Sequence, residues 1–209
     1  MKEKSKITRR GFLKIMGKGA GAAAGIHFLG VPGFTQMLKE EIQQIPVVWI
    51  QAGSCSGCSV SLLNSLSPKI QDLILGEVIP KKHLGLAFHP NVMAAQGHEA
   101  IGVLDHFGKP EQKGKFVLVY EGSVSTKDDG KYCEVGEKDG HGITTLEHLK
   151  TLAPNAMAVL SVGACSAYGG IPAAKPNPTG IEPVSAILKK AGIKTPCVNI
   201  PGCPPHPDW

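Results

Sequence analysis

The sequence predicts an α/β fold with a doubly wound parallel sheet, and two patterns along the chain support this prediction. Short apolar runs typical of buried strands alternate with segments of helical periodicity, and strands joined through helices pair in parallel. Several of the runs also end in turns rich in glycine or proline. With 209 residues, of which 42% are hydrophobic, the chain is long enough to bury a sizeable core.

The predicted elements follow one another regularly. The predicted strands are apolar runs bounded by turn residues: Pro46–Ile50, Asp72–Ile79, His83–His89, Phe116–Tyr120, Ala156–Val162 and Cys197–Ile200. The predicted helices lie between these runs, after a short helix that precedes the first strand: Met37–Gln44, Val60–Leu66, Asn91–Phe107, Thr144–Leu152 and Ile181–Ala191. Thr126–Gly140 is predicted to be an exposed polar excursion, and Ala173–Thr179 a proline-rich loop.

The positive charge of the chain is concentrated at its amino terminus. Residues 1–20 hold seven basic side chains and one acidic side chain, a net charge of +6, whereas the whole chain has a net charge of +5. The remaining residues therefore have a net charge of −1. Since phosphate binding needs a concentrated basic face, this balance argues against a nucleic-acid partner.

The amino-terminal residues match a twin-arginine export signal. Arg9 and Arg10 stand in the motif TRRGFLK, and a weakly apolar stretch rich in glycine and alanine follows over residues 15–34. A solvated basic helix is the alternative reading. We expect residues 1–36 to be the signal and 37–45 a linker, with the protein exported to the periplasm or the outer face of the cytoplasmic membrane. This route carries folded proteins, which suits a cofactor inserted before export.

Four cysteines stand in turns that follow the predicted strands. Cys55 and Cys58 lie in QAGSCSGCSVSLLN, Cys165 in VGACSAYGG and Cys203 in NIPGCPPHPDW. In a parallel α/β sheet, functional groups gather on loops beyond the carboxyl ends of the strands. We therefore expect the four thiolates to meet at one edge of the sheet and to bind one iron–sulfur cluster, whose irons each take a thiolate from a different direction.

Two other kinds of site compete with a cluster. A redox-active dithiol would use Cys55 and Cys58 but leave the other two cysteines without a role. A structural zinc site usually combines two CxxC pairs, whereas this chain has one pair and two distant single cysteines. Cys133 and Cys197 are left over and are interpreted as inert thiols. A disulfide between them stays open.

Five stretches of the chain together resemble the small subunit of nickel–iron hydrogenases. They read PVVWIQAGSCSGCSVSLLN, FHPNVMAAQG, VLVYEGSVSTKDDGKYCEVG, VGACSAYGGIPAAKPNPTG and VNIPGCPPHPDW, and they span residues 46–209. The resemblance implies a flavodoxin-like domain that binds one proximal [4Fe-4S] cluster. Carried over motif by motif, the ligands are Cys55, Cys58, Cys165 and Cys203.

The resemblance also implies partners and a reaction. The nickel–iron centre, where H2 becomes two protons and two electrons, lies in a separate large subunit of the family. The small subunit passes the electrons outward, to an acceptor such as a cytochrome or a membrane subunit. Glu121 is a candidate proton-relay or interface carboxylate, with a surface acid at a strand end as the alternative. His89, His98 and His206 are interpreted as structural or interface residues and not as metal ligands.

The chain departs from the family pattern at its carboxyl end. Family members usually continue into a second domain with two more clusters, whereas this sequence stops at Trp209. We therefore expect a fragment or a truncated product that lacks the carboxyl-terminal cluster domain. Two functions remain as alternatives: the related cluster subunit of a complex I-like quinone oxidoreductase, and a non-redox scaffold held together by a metal.

Overall fold

The computed structural model describes residues 43–75 and 82–208. The predicted signal, most of the linker and its helix, and the end of the second predicted strand lie outside these residues. The nine strands within them are β1 Gln43–Gln51, β2 Lys82–Phe88, β3 Val117–Glu121, β4 Val124–Ser125, β5 Glu134–Lys138, β6 His141–Thr144, β7 Ala158–Val162, β8 Ile181–Glu182 and β9 Cys197–Ile200. The six α-helices are α1 Gly57–Leu63, α2 Ile70–Leu75, α3 Gly97–Phe107, α4 Thr145–Leu152, α5 Gly163–Tyr168 and α6 Val184–Lys190. None of the helices described could span a membrane.

Five of the strands form one parallel sheet in the order β2-β1-β3-β7-β9. Counted within the sheet, this is the order 2-1-3-4-5 of flavodoxin-like folds, so the predicted fold class is confirmed. The register aligns the ends of the central strands, because Gln51 pairs with Glu121 and Glu121 pairs with Val162. The loops after these strands therefore begin at the same level of one sheet edge.

Each face of the sheet carries alternate side chains of the strands. One face, which includes Ile50 and Tyr120, packs against apolar residues of helices α3, α4 and α6. The other face buries Trp49, Val119 and Val162 in a smaller cluster that contacts helix α1 through Leu62. Burial of apolar side chains on both faces stabilises the sheet and holds its carboxyl edge rigidly in place.

One predicted strand is a helix. Asp72–Ile79 was expected to be extended, but Ile70–Leu75 forms helix α2. A short apolar run has no periodicity that separates a strand from a buried helix. Here the side chain of Asp72 accepts a hydrogen bond from the amide N–H of Lys69 (3.1 Å), which caps the first turn of the helix.

Two helices begin later than predicted, and the segment predicted to be an exposed polar excursion contains regular structure. Helix α6 begins at Val184, because Pro183 favours an extended residue before it, and Ile181–Glu182 pairs with Val124–Ser125 instead. Helix α3 begins at Gly97 and not at Asn91. The polar excursion contains a short 3-10 helix and strand β5, which pairs with β6 in a hairpin.

Candidate metal centre

The structure brings the four predicted ligand cysteines to the carboxyl edge of the sheet. Cys55 and Cys58 follow β1, Cys165 lies in helix α5 directly after β7, and Cys203 follows β9. Cys58 interacts electrostatically with the other three thiols, and Cys165 with Cys55 and Cys203. All four are free cysteines. Their proximity is thus observed, and their role as ligands stays a prediction.

The backbone around the thiols is shaped for close approach. Ser56 adopts a left-handed conformation (φ +63°), and its hydroxyl donates to the carbonyl oxygen of Cys55 (2.6 Å). Gly163 has φ +88°, and a Cβ atom there would lie 2.5 Å from the Sγ atom of Cys58. A Cβ atom on Gly170 would lie 2.7 Å from the Sγ atom of Cys165. Only glycine fits beside these two thiols.

Burial and neighbouring acidic groups both oppose ionisation of two of the thiols, Cys58 and Cys165. Burial raises the pKa of Cys58 to about 12, and the neighbouring Glu121 and the three other thiols contribute in the same direction. Burial also raises the pKa of Cys165, again with help from Cys203 and Cys55. A raised pKa favours the neutral thiol, so a metal group must displace protons when it binds and must itself stabilise the thiolates.

One CxxC pair and two distant single cysteines supply the four thiols of this site. Zinc holds its thiolate sulfurs about 2.3 Å from one point. Within residues 43–75 and 82–208, no three histidine, cysteine or acidic side chains are grouped closely enough to hold one ion. Four thiols that come from three separate segments, after β1, β7 and β9, match a group with several metal atoms, such as an iron–sulfur cluster, whose irons each take one thiolate from a different direction.

A buried carboxylate lies directly beneath the CxxC turn. The side chain of Glu121 is only 1% exposed, so the surface-acid interpretation of this residue is wrong. Its Oε1 atom accepts the amide N–H groups of Cys58 (3.1 Å) and Ser59 (3.3 Å). Its Oε2 atom accepts from Trp49 Nε1 (2.9 Å), Gln51 Nε2 (3.2 Å) and the hydroxyl of Ser59. All five partners are hydrogen-bond donors, and an ionised carboxylate, which can only accept, pairs with all of them.

His89 extends this hydrogen-bond network away from the cysteines. Its Nδ1 atom accepts the amide N–H of Asn91 (3.2 Å), so the neutral ring carries its proton on Nε2, 3.1 Å from the Ser59 hydroxyl. Burial lowers the pKa of His89, against the opposing charge of Glu121. The ring also contacts Trp49, with 5.3 Å between centroids. The ring is thus a neutral structural donor.

The remaining predicted residues lie apart from this network or at its rim. Cys133 is in the polar excursion, where its carbonyl oxygen accepts the amide N–H of Thr145 (2.9 Å). Cys197 begins β9 and therefore lies at the opposite sheet edge from Cys203. Both are free thiols, so the structure holds no disulfide between them. His98 is exposed at the start of α3.

Sequence reasoning missed most of the residues around Glu121. The sequence assigned no role to Trp49, Gln51 or Ser59. A positional signal could have linked Gln51 to Glu121. Gln51 ends β1 and Glu121 ends β3, so two polar side chains close two adjacent buried strands at the predicted functional edge.

Comparison with known proteins agrees with this geometry. Residues 55–209 match the family model described as NADH ubiquinone oxidoreductase, 20 Kd subunit. The chain belongs to this family. The match includes all four cysteines of the candidate centre.

Several similar proteins are hydrogenase small subunits. The chain is 40% identical to the small subunit of the periplasmic [NiFeSe] hydrogenase of Desulfomicrobium baculatum, over 97% of this chain and 64% of that protein. It is 36% identical to the small chain of the quinone-reactive Ni/Fe-hydrogenase of Wolinella succinogenes, over 98% of this chain and 53% of that protein. The chain thus spans less than two thirds of the length of these relatives.

Solved structures give the same result. The recombinant [NiFeSe] hydrogenase of Desulfovibrio vulgaris Hildenborough matches with a TM-score of 0.73 and 52% identity, over 79% of this chain and 56% of that chain. The hydrogenase of Desulfomicrobium baculatum matches with a TM-score of 0.73 and 43% identity, over 79% of this chain and 58% of that chain. The resemblance to hydrogenase small subunits is therefore confirmed.

Proposed function

We propose that this chain is the electron-transfer small subunit of a nickel–iron hydrogenase. The observation that carries the proposal is the convergence of four free cysteines at one sheet edge, in a chain similar to hydrogenase small subunits along nearly all its length. Cys55, Cys58, Cys165 and Cys203 would hold one proximal [4Fe-4S] cluster. Such a cluster supplies a site that takes up and releases one electron at a time.

The residues of this chain provide the setting for that centre. Two of the thiols, Cys58 and Cys165, are partly buried, whereas Cys55 and Cys203 are exposed. The site therefore has a protein-facing side and an open side. The open side would face the large subunit, whose nickel–iron centre oxidises H2 to two protons and two electrons.

Large exposed apolar side chains on the segments that follow the cysteines support a protein partner there. Val60 and Leu63 lie on helix α1 and Leu66 follows it, and Leu66 is 80% exposed. Tyr168 and Ile171 follow Cys165, and Ile171 is 82% exposed. Large apolar side chains exposed around a functional edge mark an interaction surface. We assign this surface to the large subunit.

The proposed location and electron acceptor follow from the same resemblance. Export through the twin-arginine route would place the protein in the periplasm or on the outer face of the cytoplasmic membrane, in keeping with the name of the periplasmic relative. A cytochrome or membrane subunit would then receive the electrons. A quinone-reactive relative is consistent with a membrane acceptor.

The complex I-like alternative rests on the description of the matching family model. In that reading the same four cysteines would hold a cluster that serves a quinone oxidoreductase. The CxxC spacing and the identity to hydrogenase subunits favour the first proposal.

Isolation of the native complex separates these functions. We expect a tagged full-length chain, purified anaerobically from the organism that makes it, to bring down a second subunit that contains nickel, and the complex to reduce a viologen dye with H2. The chain alone should show no such activity. A nickel-free complex that oxidises NADH would contradict the proposal and support the complex I-like alternative.

A further inference from the structure

We propose that Glu121 is a positioning residue that fixes the ligand turn of Cys58 and lowers the reduction potential of the cluster. The inference rests on the proposed function, because it concerns the cluster that the four cysteines would hold. It adds a role that the motif of four cysteines does not contain, carried by a side chain that is not itself a ligand.

The carboxylate of Glu121 is held in place by the pairing of its strand. Glu121 ends β3, and its backbone is fixed by pairing with Gln51 on one side and Val162 on the other. Its carbonyl oxygen also accepts the amide N–H of Ala52 (2.8 Å). From this rigid base, Oε1 accepts the N–H of Cys58 at 3.1 Å. The carboxylate thus ties the CxxC turn to the centre of the sheet.

The Glu121 carboxylate carries a buried charge with neutral partners only. The five donors around the Glu121 carboxylate are amide, indole and hydroxyl groups, and none carries a charge. Across the two described ranges of the chain, no ion pair to this carboxylate is formed. A charge that is 1% exposed and has no cationic partner among the described residues is weakly screened, so its field acts strongly on neighbouring groups.

The negative charge of Glu121 acts on the cluster through the ligand Cys58. Burial of an unpaired charge destabilises a fold, and an apolar residue would avoid that cost. Glu121 interacts electrostatically with Cys58, one of the proposed ligands. A negative charge that accepts the amide N–H of a ligand residue at 3.1 Å opposes the arrival of an electron at the cluster, because nearby charges and hydrogen bonds set the potential of such clusters. The buried carboxylate therefore favours onward release of the electron.

The test compares cluster potentials in three variants of the full-length chain. Wild type, Glu121→Gln, Trp49→Phe and Glu111→Gln are reconstituted anaerobically with iron and sulfide and titrated with dithionite and mediators. The EPR signal of the reduced cluster is followed, so each cluster gains one electron from the titrant. Glu111 is the matched control, because it is exposed and precedes the opposite end of the same strand.

Opposite shifts are expected from the two buried variants. Glu121→Gln removes the charge and should raise the potential by about 59 mV, a tenfold change in the equilibrium constant for one electron. Trp49→Phe keeps the charge but removes the indole donor that partly neutralises it, and should lower the potential. Glu111→Gln should leave the potential unchanged. A merely structural role would not move the two buried variants in opposite directions.

Each outcome decides the inference. A loaded Glu121→Gln variant whose potential is unchanged or lower would overturn it. If that variant does not bind a cluster, Trp49→Phe decides, and an unchanged or higher potential overturns the inference. A wild-type chain that binds no cluster overturns the proposed function itself, which is a different result from a loaded wild type with insensitive variants.

Discussion

Replacement of Cys203 by alanine should reduce the iron and sulfide content of the reconstituted chain to less than about a tenth of the wild-type value, because a cluster that lacks one of four thiolates is poorly retained. Cys203 is exposed in the loop that follows β9, and this loop is tied to helix α5 by the amide N–H of Ala164, which donates to the carbonyl oxygen of Gly202 (2.7 Å). The substitution therefore removes a thiol without removing a core contact.

Cys133→Ala is the matched control for this experiment. Cys133 is also a free cysteine, but it lies in the polar excursion and is not among the thiols grouped at the sheet edge. Its replacement should leave the iron content unchanged. Equal loss of iron in both variants would show that general unfolding, and not loss of a ligand, is the cause.

Gly163→Ala is expected to have the second largest effect. The new Cβ atom would lie 2.5 Å from the Sγ atom of Cys58, so the thiol must move away from its place in the site. The positive φ of +88° adds a cost of about 1–2 kcal/mol for any residue with a side chain. We expect lower stability in urea and a several-fold loss of bound iron.

Gly140→Ala separates the backbone cost of a positive φ from the clash with the Cys58 sulfur. Gly140 has a similar φ of +78°, and nothing lies within 4 Å of the Cβ atom that an alanine would add. This variant should share the loss of stability but keep its iron. If Gly163→Ala binds as much iron as Gly140→Ala, the close approach of Gly163 to Cys58 has no part in shaping the site.

The sheet and the position of the cysteines could be predicted because both depend on local pattern and topology. Apolar runs such as Phe116–Tyr120 identify the central strands, and the parallel arrangement then places the following loops at one edge. Helix α2 was missed because six residues are too few for a periodicity to show, and its capping by Asp72 is a side-chain contact.

The position of Glu121 at a strand end can be seen in the sequence, but its hydrogen-bond partners could not be predicted because they are distant in sequence. Trp49 donates to Glu121 across 72 positions, and Cys58 across 63. These contacts depend on the register between β1 and β3, which brings Gln51 opposite Glu121. A single strand pattern contains no information about that register, so Glu121 could equally have been a surface acid.

Iron and sulfide analysis of the full-length chain, purified anaerobically and combined with EPR before and after reduction, tests the central claim most directly. We expect about four iron and four sulfide ions per chain and an EPR signal that appears on reduction, as a single [4Fe-4S] cluster requires. One zinc ion per chain, with no EPR signal in either state, would contradict it.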